Sequence, residues 1–476
     1  MRPMMRGAVA SPALAVAGRI ARMHGLGSIA VLGPVEIDAF ESADPEVDVV
    51  EFVLKGADGS TNLPWFVRQA VWVPGDQPPI NLGECAVMGA DDDDRMAVAL
   101  AEAPVVIVLG ERVGPAVAGA SDAPLFSGLG PAGGTIAIVD RRIAPDIAAP
   151  SGFRVVAIVT TFNEADVIGP TIDYLVGQGV GVHVIDNWST DNTYRIAETY
   201  LDRGVVGLER FPDAPSPTFD LGAILHRVEQ VAAVIDADWI VHHDADERRR
   251  PPWTGCSLPD ALWRIQQSGF NAVDHTVLEF PPIDDSFVSG TDLETAFVRF
   301  AYGRLPGDQL KIQSWRQRHR TIDLASSGGH EVVFDGRRVF PYKFLLKHYP
   351  IRSQTHGERK IFVERQARWN ATERSRGWHL HYDSIASTHS FLRDPAELIE
   401  FVPGVTERER LVPFLTGIGV VADEVPSGAR RSRLRWSAYR ADRAIRSSRL
   451  ADIGRRSQIA RAVVGKFRRL KRGRGT

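Results

Sequence analysis

Four short, strongly apolar runs between residues 154 and 242, separated by helical patterns, constrain this 476-residue chain more than any other feature. Arg154–Thr160 (RVVAIVT) is β-branched without alternation, as expected of a strand buried on both faces of a parallel sheet. Asn163 is placed to cap a helix through about Gln178, with Val167, Ile168, Ile172, Leu175 and Val176 on its inner face. Val180–Ile185 predicts a second strand. Thr190 or Asp191 then caps a helix with Ile196, Ala197, Tyr200 and Leu201 as its apolar stripe, ending at Gly204. Val205–Leu208 predicts a third strand, Phe219 to about Ile235 a longer helix, and Trp239–His242 a fourth strand. Repeated β-α-β units with short connections mean a doubly wound sheet, which takes ligands at the carboxyl ends of its strands.

Those strand ends carry the informative residues: TTFNE from Thr160 to Glu164, DNWSTD from Asp186 to Asp191, and HDADE from His243 to Glu247. Three acidic clusters on one sheet edge repel unless a cation or hydrogen-bond donors offset them. A nucleoside diphosphate with a divalent cation, Mn2+ or Mg2+, meets that need. Asp244 and Asp246 are two apart, so in an extended segment both carboxylates face one metal. The competing reading makes Asp246 and Glu247 ordinary ion-pair partners of Arg248–Arg250.

TTFNEADVIGPTIDYL, IDNWSTDNT and WIVHHDADE resemble the successive donor-site motifs of family 2-type glycosyltransferases with the GT-A fold, over about residues 151–390. The resemblance implies a GT-A-like doubly wound mixed α/β sheet, a nucleotide-sugar donor and a saccharide or lipid-linked hydroxyl acceptor. Glu164 and Asp191 would help hold the nucleoside, Thr160 and Asn163 would shape its pocket, and Asp186 would face the base or ribose. Asp244 would lie near the ribose and metal, with Asp246 the firmer metal ligand. Asn187 stands where the Asp-Asp-Gly-Ser version has its second acidic residue, which leaves the base preference open. A late histidine ligand followed by a basic residue on the diphosphate would be His348, at the end of the strand Phe344–Lys347, and Arg352, with His330 as the competing histidine.

Single displacement also needs a carboxylate base at the acceptor. Asp274, Glu279, Asp284, Asp285, Asp292 and Glu294 follow the metal motif; family position favours Asp284 or Asp285, and Glu247 is a further contender. A nucleotidyltransferase would share the sheet but opens with a glycine-rich, basic loop after strand one, which TTFNEAD lacks. A degenerate binding module would keep the nucleotide and lose turnover.

The rest of the chain is less directive. No run approaches 18 uninterrupted apolar residues, which argues against a spanning helix, and only Cys85 and Cys256 occur, which leaves neither a disulfide framework nor a cysteine zinc site. Residues 1–27 read as an amphipathic helix rather than an export signal, because Arg19 and Arg22 close a weak apolar run. Residues 28–145 read as a separate α/β or β-rich unit with strands near Val49–Leu54, Ala70–Val73, Val105–Leu109 and Thr135–Val139. Within it, GLGPAG from Gly128 to Gly133 fits a dinucleotide pattern by letter but precedes a strand, and Asp91–Asp94 reads as a solvated loop or helix start rather than a metal cage. Residues 144–152 form a linker, 151–390 the core and 391–429 an extension.

The segment from His356 through Arg376 reads as a helix with Ile361, Phe362, Ala367 and Trp369 partly buried and an arginine face that is either solvated or grips phosphate. From Arg430 to Thr476, 17 basic residues stand against Asp442 and Asp452 in a chain of net charge −3, so the tail needs an anionic surface or is a disordered solubilising tail. An amphipathic basic helix on the inner face of the plasma membrane of a cytoplasmic protein fits that charge; no nucleic-acid module accompanies it.

Overall fold

A computed structural model describes seven strands between residues 28 and 140 and then residues 147–403, with breaks at 254, 304–307, 309, 319–320, 341, 369, 371–372, 374–384 and 387. Residues 1–27, Asp91–Asp94, the end of the extension and the basic tail lie outside the described residues.

Strands β1 (Ser28–Leu32), β2 (Asp48–Leu54), β3 (Val67–Trp72), β4 (Cys85–Gly89), β5 (Val105–Leu109), β6 (Leu125–Leu129) and β7 (Thr135–Asp140) form one sheet, ordered β3-β2-β1-β4-β5-β7-β6. The first five are parallel, and β7 is antiparallel to both β5 and β6. Parallel neighbours need crossovers rather than hairpins, and the strand order reverses at β1. Gly128 and Leu129 lie in β6, against β7, so the dinucleotide-like letters run from strand to strand.

From residue 155 the strands are β8 (Val155–Thr161), β9 (Gly181–Asp186), β10 (Val205–Arg210), β11 (Trp239–Asp244), β12 (Glu247–Arg250), β13 (Ala272–Val273), β14 (His275–Glu279), β15 (Arg299–Tyr302), β16 (Ser314–Arg316), β17 (Phe344–His348) and β18 (Ile399–Glu400). The helices are α1 (Ile168–Gly177), α2 (Thr193–Glu198), α3 (Leu221–Val234), α4 (Leu258–Gln267), α5 (Leu293–Ala296) and α6 (Gln354–Glu358).

The central sheet is ordered β10-β9-β8-β11-β16-β13. Strands β8 to β11 are parallel, β16 runs antiparallel to β11, and β13 antiparallel to β16. Strand order therefore reverses between β8 and β11, the point where such sheets open a ligand crevice. Buried Val156, Ile158 and Ile240 share one core with Leu225, Val228 and Val231 of α3 and with Trp315. Helix α3 is stopped from fraying by Asp220, whose Oδ1 accepts from the Ala223 amide at 2.8 Å. Asp220→Ala is expected to lower the unfolding free energy by about 1 kcal/mol, read by urea denaturation.

Two capping expectations are corrected. Helix α1 begins at Ile168, and Asn163 sits at a φ of 54° with its Oδ1 accepting from the Thr190 amide at 2.8 Å. A left-handed residue cannot begin a helix; it turns the chain towards the β9 loop instead. Helix α2 begins at Thr193, whose amide donates to Asp191 Oδ1 at 2.9 Å, so Asp191 braces the first turn from two residues before it.

A second sheet, ordered β12-β17-β14-β15-β18, begins with the sequence ERRR. Arg248 and Arg249 are fully buried. Arg248 lies over the Tyr174 ring and donates to Thr171 Oγ1 at 2.8 Å, while Arg249 donates to Gln313 Oε1 at 2.7 Å and pairs with Glu247 at 2.8 Å. The ion-pair reading of this segment thus holds for Glu247 but not for Asp246, whose partners come from elsewhere in the chain. Among the described residues no helix is long and apolar enough to cross a membrane.

Candidate functional site

The ends of β8 and β11 meet at the switch point through Thr160 Oγ1, which donates to Asp244 Oδ1 at 3.0 Å. The chain then reverses tightly, the Asp244 amide donating to Glu247 Oε2 at 3.2 Å, and enters β12. Strand β17 pairs with β12 so that Glu247 faces His348, and the Tyr349 amide donates to the Asp246 carbonyl at 2.9 Å. This register brings His348 Nε2 to 3.7 Å from Asp246 Oδ1.

Asp246 Oδ2 accepts from Lys360 Nζ at 2.9 Å, and Arg352 Nη1 lies 3.9 Å from the same oxygen. Burial alone would raise the Asp246 pKa, but Lys360, His348 and Arg352 together hold it well below the usual carboxylate range. Lys360 Nζ also donates to Glu164 Oε1 at 2.8 Å. Arg352, fully buried, donates through Nε to Asp166 at 2.7 Å and through Nη2 to Asp166 at 3.0 Å and to Glu164. His356 completes the set, with Arg352 Nη2 2.8 Å from its Nε2. Burial lowers the His348 pKa, but the hydrogen bond to Glu279 and the charge of Asp246 outweigh it and push it up to about 9. The acidic rim expected from the sequence is therefore balanced here by Lys360, Arg352 and His348.

The neighbouring edge, at β9, differs in kind. Asp186 is fully buried and accepts from the Ser189 amide through Oδ2 at 3.0 Å, while its Oδ1 has no hydrogen-bond partner. Thr161, its register partner on β8, likewise has a buried hydroxyl oxygen without a partner. Burial raises the Asp186 pKa in spite of the Ser189 hydrogen bonds. The Arg368 guanidinium lies 4.2 Å from the Phe162 ring centroid and reaches Asn187 Oδ1 at 3.4 Å.

The other sequence-picked residues fall in distinct surroundings. Asp284 and Asp285 are exposed, accepting from the Ser286 amide at 2.9 Å and the Gln354 amide at 2.7 Å. Neither is hydrogen-bonded to the Asp244–Asp246 cluster. Glu247 is sealed against Arg249, and burial raises its pKa despite that partner. Buried Asp274 lies 3.3 Å from Lys343, Glu294 pairs with Lys347 and Arg250, and Asp292 caps α5. Glu279, with its side chain 37% exposed, touches the cluster through His348 Nδ1 at 3.5 Å. His330 belongs to the neighbourhood of Ile312, whose amide donates to its carbonyl at 2.9 Å. Arg352, expected on a diphosphate, is engaged by carboxylates instead.

Among the described residues no three His, Cys, Asp or Glu side chains gather as a metal cage. The sequence reading missed Lys360, because a basic run at 356–360 looks like a solvated helix face. In the structure α6 continues through a π-helical stretch, Arg359–Arg365, that turns Lys360 and Ile361 inward; Phe362 is half-buried, Ala367 is exposed, and Trp369 lies outside the described residues.

Residues 156–253 match Glycosyl transferase family 2. No curated protein matches the chain. Among solved structures, S. aureus TarS is similar over 35% of this chain and 28% of its own, at 16% identity and a TM-score of 0.23. Glucosyl-3-phosphoglycerate synthase from Mycobacterium tuberculosis, in complex with Mn2+, UDP and glucosyl-3-phosphoglycerate, is similar over 27% of this chain and 45% of its own, at 22% identity and a TM-score of 0.20. The mannosyltransferase PcManGT from Pyrobaculum calidifontis, in complex with GDP-Man and Mn2+, is similar over 27% of this chain and 37% of its own, at 26% identity and a TM-score of 0.20. The chain spans less than half the length of each of these structures.

Proposed function

We propose that this chain, whose residues 156–253 carry the glycosyl transferase family 2 pattern, moves a sugar from a nucleoside diphosphate donor to a hydroxyl acceptor. The observation that carries the reading is Asp246: a buried carboxylate kept charged by Lys360, Arg352 and His348, at the sheet edge where such folds take phosphorylated ligands.

The nucleoside would lie against β8 and β9. Unpartnered buried oxygens are costly, and the two on Thr161 and Asp186 gain donors from a base or ribose. Asn163 and Asp191 support this pocket by bracing the loops around it, and Phe162 with Arg368 offers a flat wall. Asp186→Asn is expected to weaken UDP binding about tenfold, the worth of one hydrogen bond to a charged group. Its stability stays equal or rises, because a buried carboxylate without a full set of donors is disfavoured in the free protein. Calorimetric titration with UDP, beside a thermal melt, reads both.

Asp246 would hold a Mn2+ or Mg2+ ion, with Asp244 beside it, and His348 would join as a ligand on giving up its proton. Two donors sharing one ion at about 2.1 Å each lie no more than about 4.2 Å apart, and Asp246 Oδ1 and His348 Nε2 are 3.7 Å apart. Such ions commonly use one or two protein groups and complete their shell with phosphate oxygens, which suits a site without a third protein ligand. When bound, the ion offsets the negative charge on the departing diphosphate. The acceptor proton goes to a carboxylate at the same edge. Glu279, partly open to solvent, meets that need better than Glu247, and Asp284 and Asp285 would serve an acceptor reaching over their loop.

The test is turnover of a panel of UDP- and GDP-sugars with Mn2+, read as released nucleoside diphosphate. Slow hydrolysis of at least one donor is expected. Nucleotide binding with no turnover of any donor, with or without saccharide acceptors, would instead favour a binding module.

A further inference from the structure

Lys360 occupies a position that the proposed chemistry leaves unexplained. Its ammonium lies between two buried carboxylates, 2.8 Å from Glu164 Oε1 and 2.9 Å from Asp246 Oδ2, and the residue is only 7% exposed. Set between two carboxylates at these distances, the ammonium has its charge matched on both sides. Arg352 supplies a second buried cation, against Glu164 and Asp166. Three carboxylates thus face two fixed positive charges, with His348 completing the surround of Asp246. A divalent ion added at Asp246 would meet Lys360 at hydrogen-bond distance on the same carboxylate. That excess of positive charge is unfavourable in a buried setting. An incoming diphosphate supplies the missing negative charge and gives the ammonium a second partner, for which a flexible lysine is suited.

We infer that Lys360 is the resident counter-ion of Asp246, and that it makes uptake of a divalent cation conditional on the simultaneous presence of a diphosphate. The inference rests on the donor-site reading above and assigns Lys360 a positioning role within it. Lys360 holds the carboxylates of Glu164 and Asp246 in place without donor, competes with the metal for Asp246, and yields to it once phosphate oxygens arrive. By linkage, the factor by which nucleotide tightens the metal equals the factor by which metal tightens the nucleotide.

The experiment is calorimetric titration of the full chain with Mn2+ alone, with Mn2+ at saturating UDP, and with Mn2+ at saturating uridine. For the wild type, UDP is expected to tighten Mn2+ at least tenfold and uridine not at all. Lys360→Gln, which keeps a hydrogen-bond donor without the charge, and Lys360→Met, which fills similar space, are expected to bind Mn2+ alone about tenfold more tightly and to lose most of the UDP effect. Lys360→Arg is expected to retain it. Thermal melts verify that each variant is folded. Variants that fold but bind Mn2+ alone no better than wild type, or a wild type whose Mn2+ is tightened equally by uridine, overturn the inference while leaving the glycosyl-transfer reading intact. A wild type that takes up no Mn2+ with either UDP or GDP overturns both.

Discussion

Asp246→Asn is expected to reduce donor turnover by about a thousandfold, comparable to deleting a group that acts on charge developing in the transition state. The same change should also destabilise the fold, which is unusual for a residue whose only role is catalytic. With Asp246 neutral, Lys360 keeps Glu164 as a partner, but Arg352 and His348 lose a carboxylate 3.9 and 3.7 Å away. Breaking a buried ion pair from one side costs about 3–5 kcal/mol, and the surviving Lys360–Glu164 contact puts this case near the low end, about 3 kcal/mol. For a unit of this size that is a fall of roughly 6–12 °C in Tm. Released nucleoside diphosphate and differential scanning fluorimetry measure the two effects on one preparation. Turnover within tenfold of wild type would remove Asp246 from the chemistry.

Arg352→Met is expected to cost more, about 4–5 kcal/mol, because it strips a fully buried guanidinium from Glu164 and Asp166 at once. Arg352→Lys should recover little of it. A lysine offers one ammonium, whereas the guanidinium fork spans Asp166, Glu164, His356 and the Tyr349 carbonyl. Chemical denaturation separates this role from a phosphate-binding one. If Arg352 served only a diphosphate, the methionine variant would unfold at the wild-type midpoint and lose nucleotide affinity alone.

What the sequence made legible follows from how local each signal is. RVVAIVT and WIVHH are apolar over consecutive residues, so β8 and β11 announce themselves, and the acidic ends follow by adjacency. ERRR does the opposite: four charged residues resemble a solvated turn, yet the first three are buried, and the burial of Arg248 and Arg249 depends on Tyr174, Thr171 and Gln313, all remote in the chain. Lys360 is likewise 114 residues from Asp246 and 196 from Glu164, so no spacing rule links them. Asn163 was legible as a polar punctuation mark but not as a left-handed residue, since Asn suits both a helix cap and that backbone region. The loop after Pro282 drew attention to Asp284 and Asp285 by family position, but Asp284 bonds to Ser286 within its own surface loop and Asp285 to the Gln354 amide 69 residues on, and neither engagement leaves a trace in the letters.

Strand β17 is the interior strand that joins β12 to β14, and it is contributed by residues 344–348, well beyond the family-matched stretch. Likewise β16, which covers the open side of β11, comes from residues 314–316. A recombinant fragment cut to the recognisable motif would therefore expose unpaired strand edges on both sheets and tend to aggregate. During synthesis the same edges wait uncovered until Ser314–Arg316 and then Phe344–His348 have emerged, so this part of the chain is most vulnerable to mispairing before it is finished.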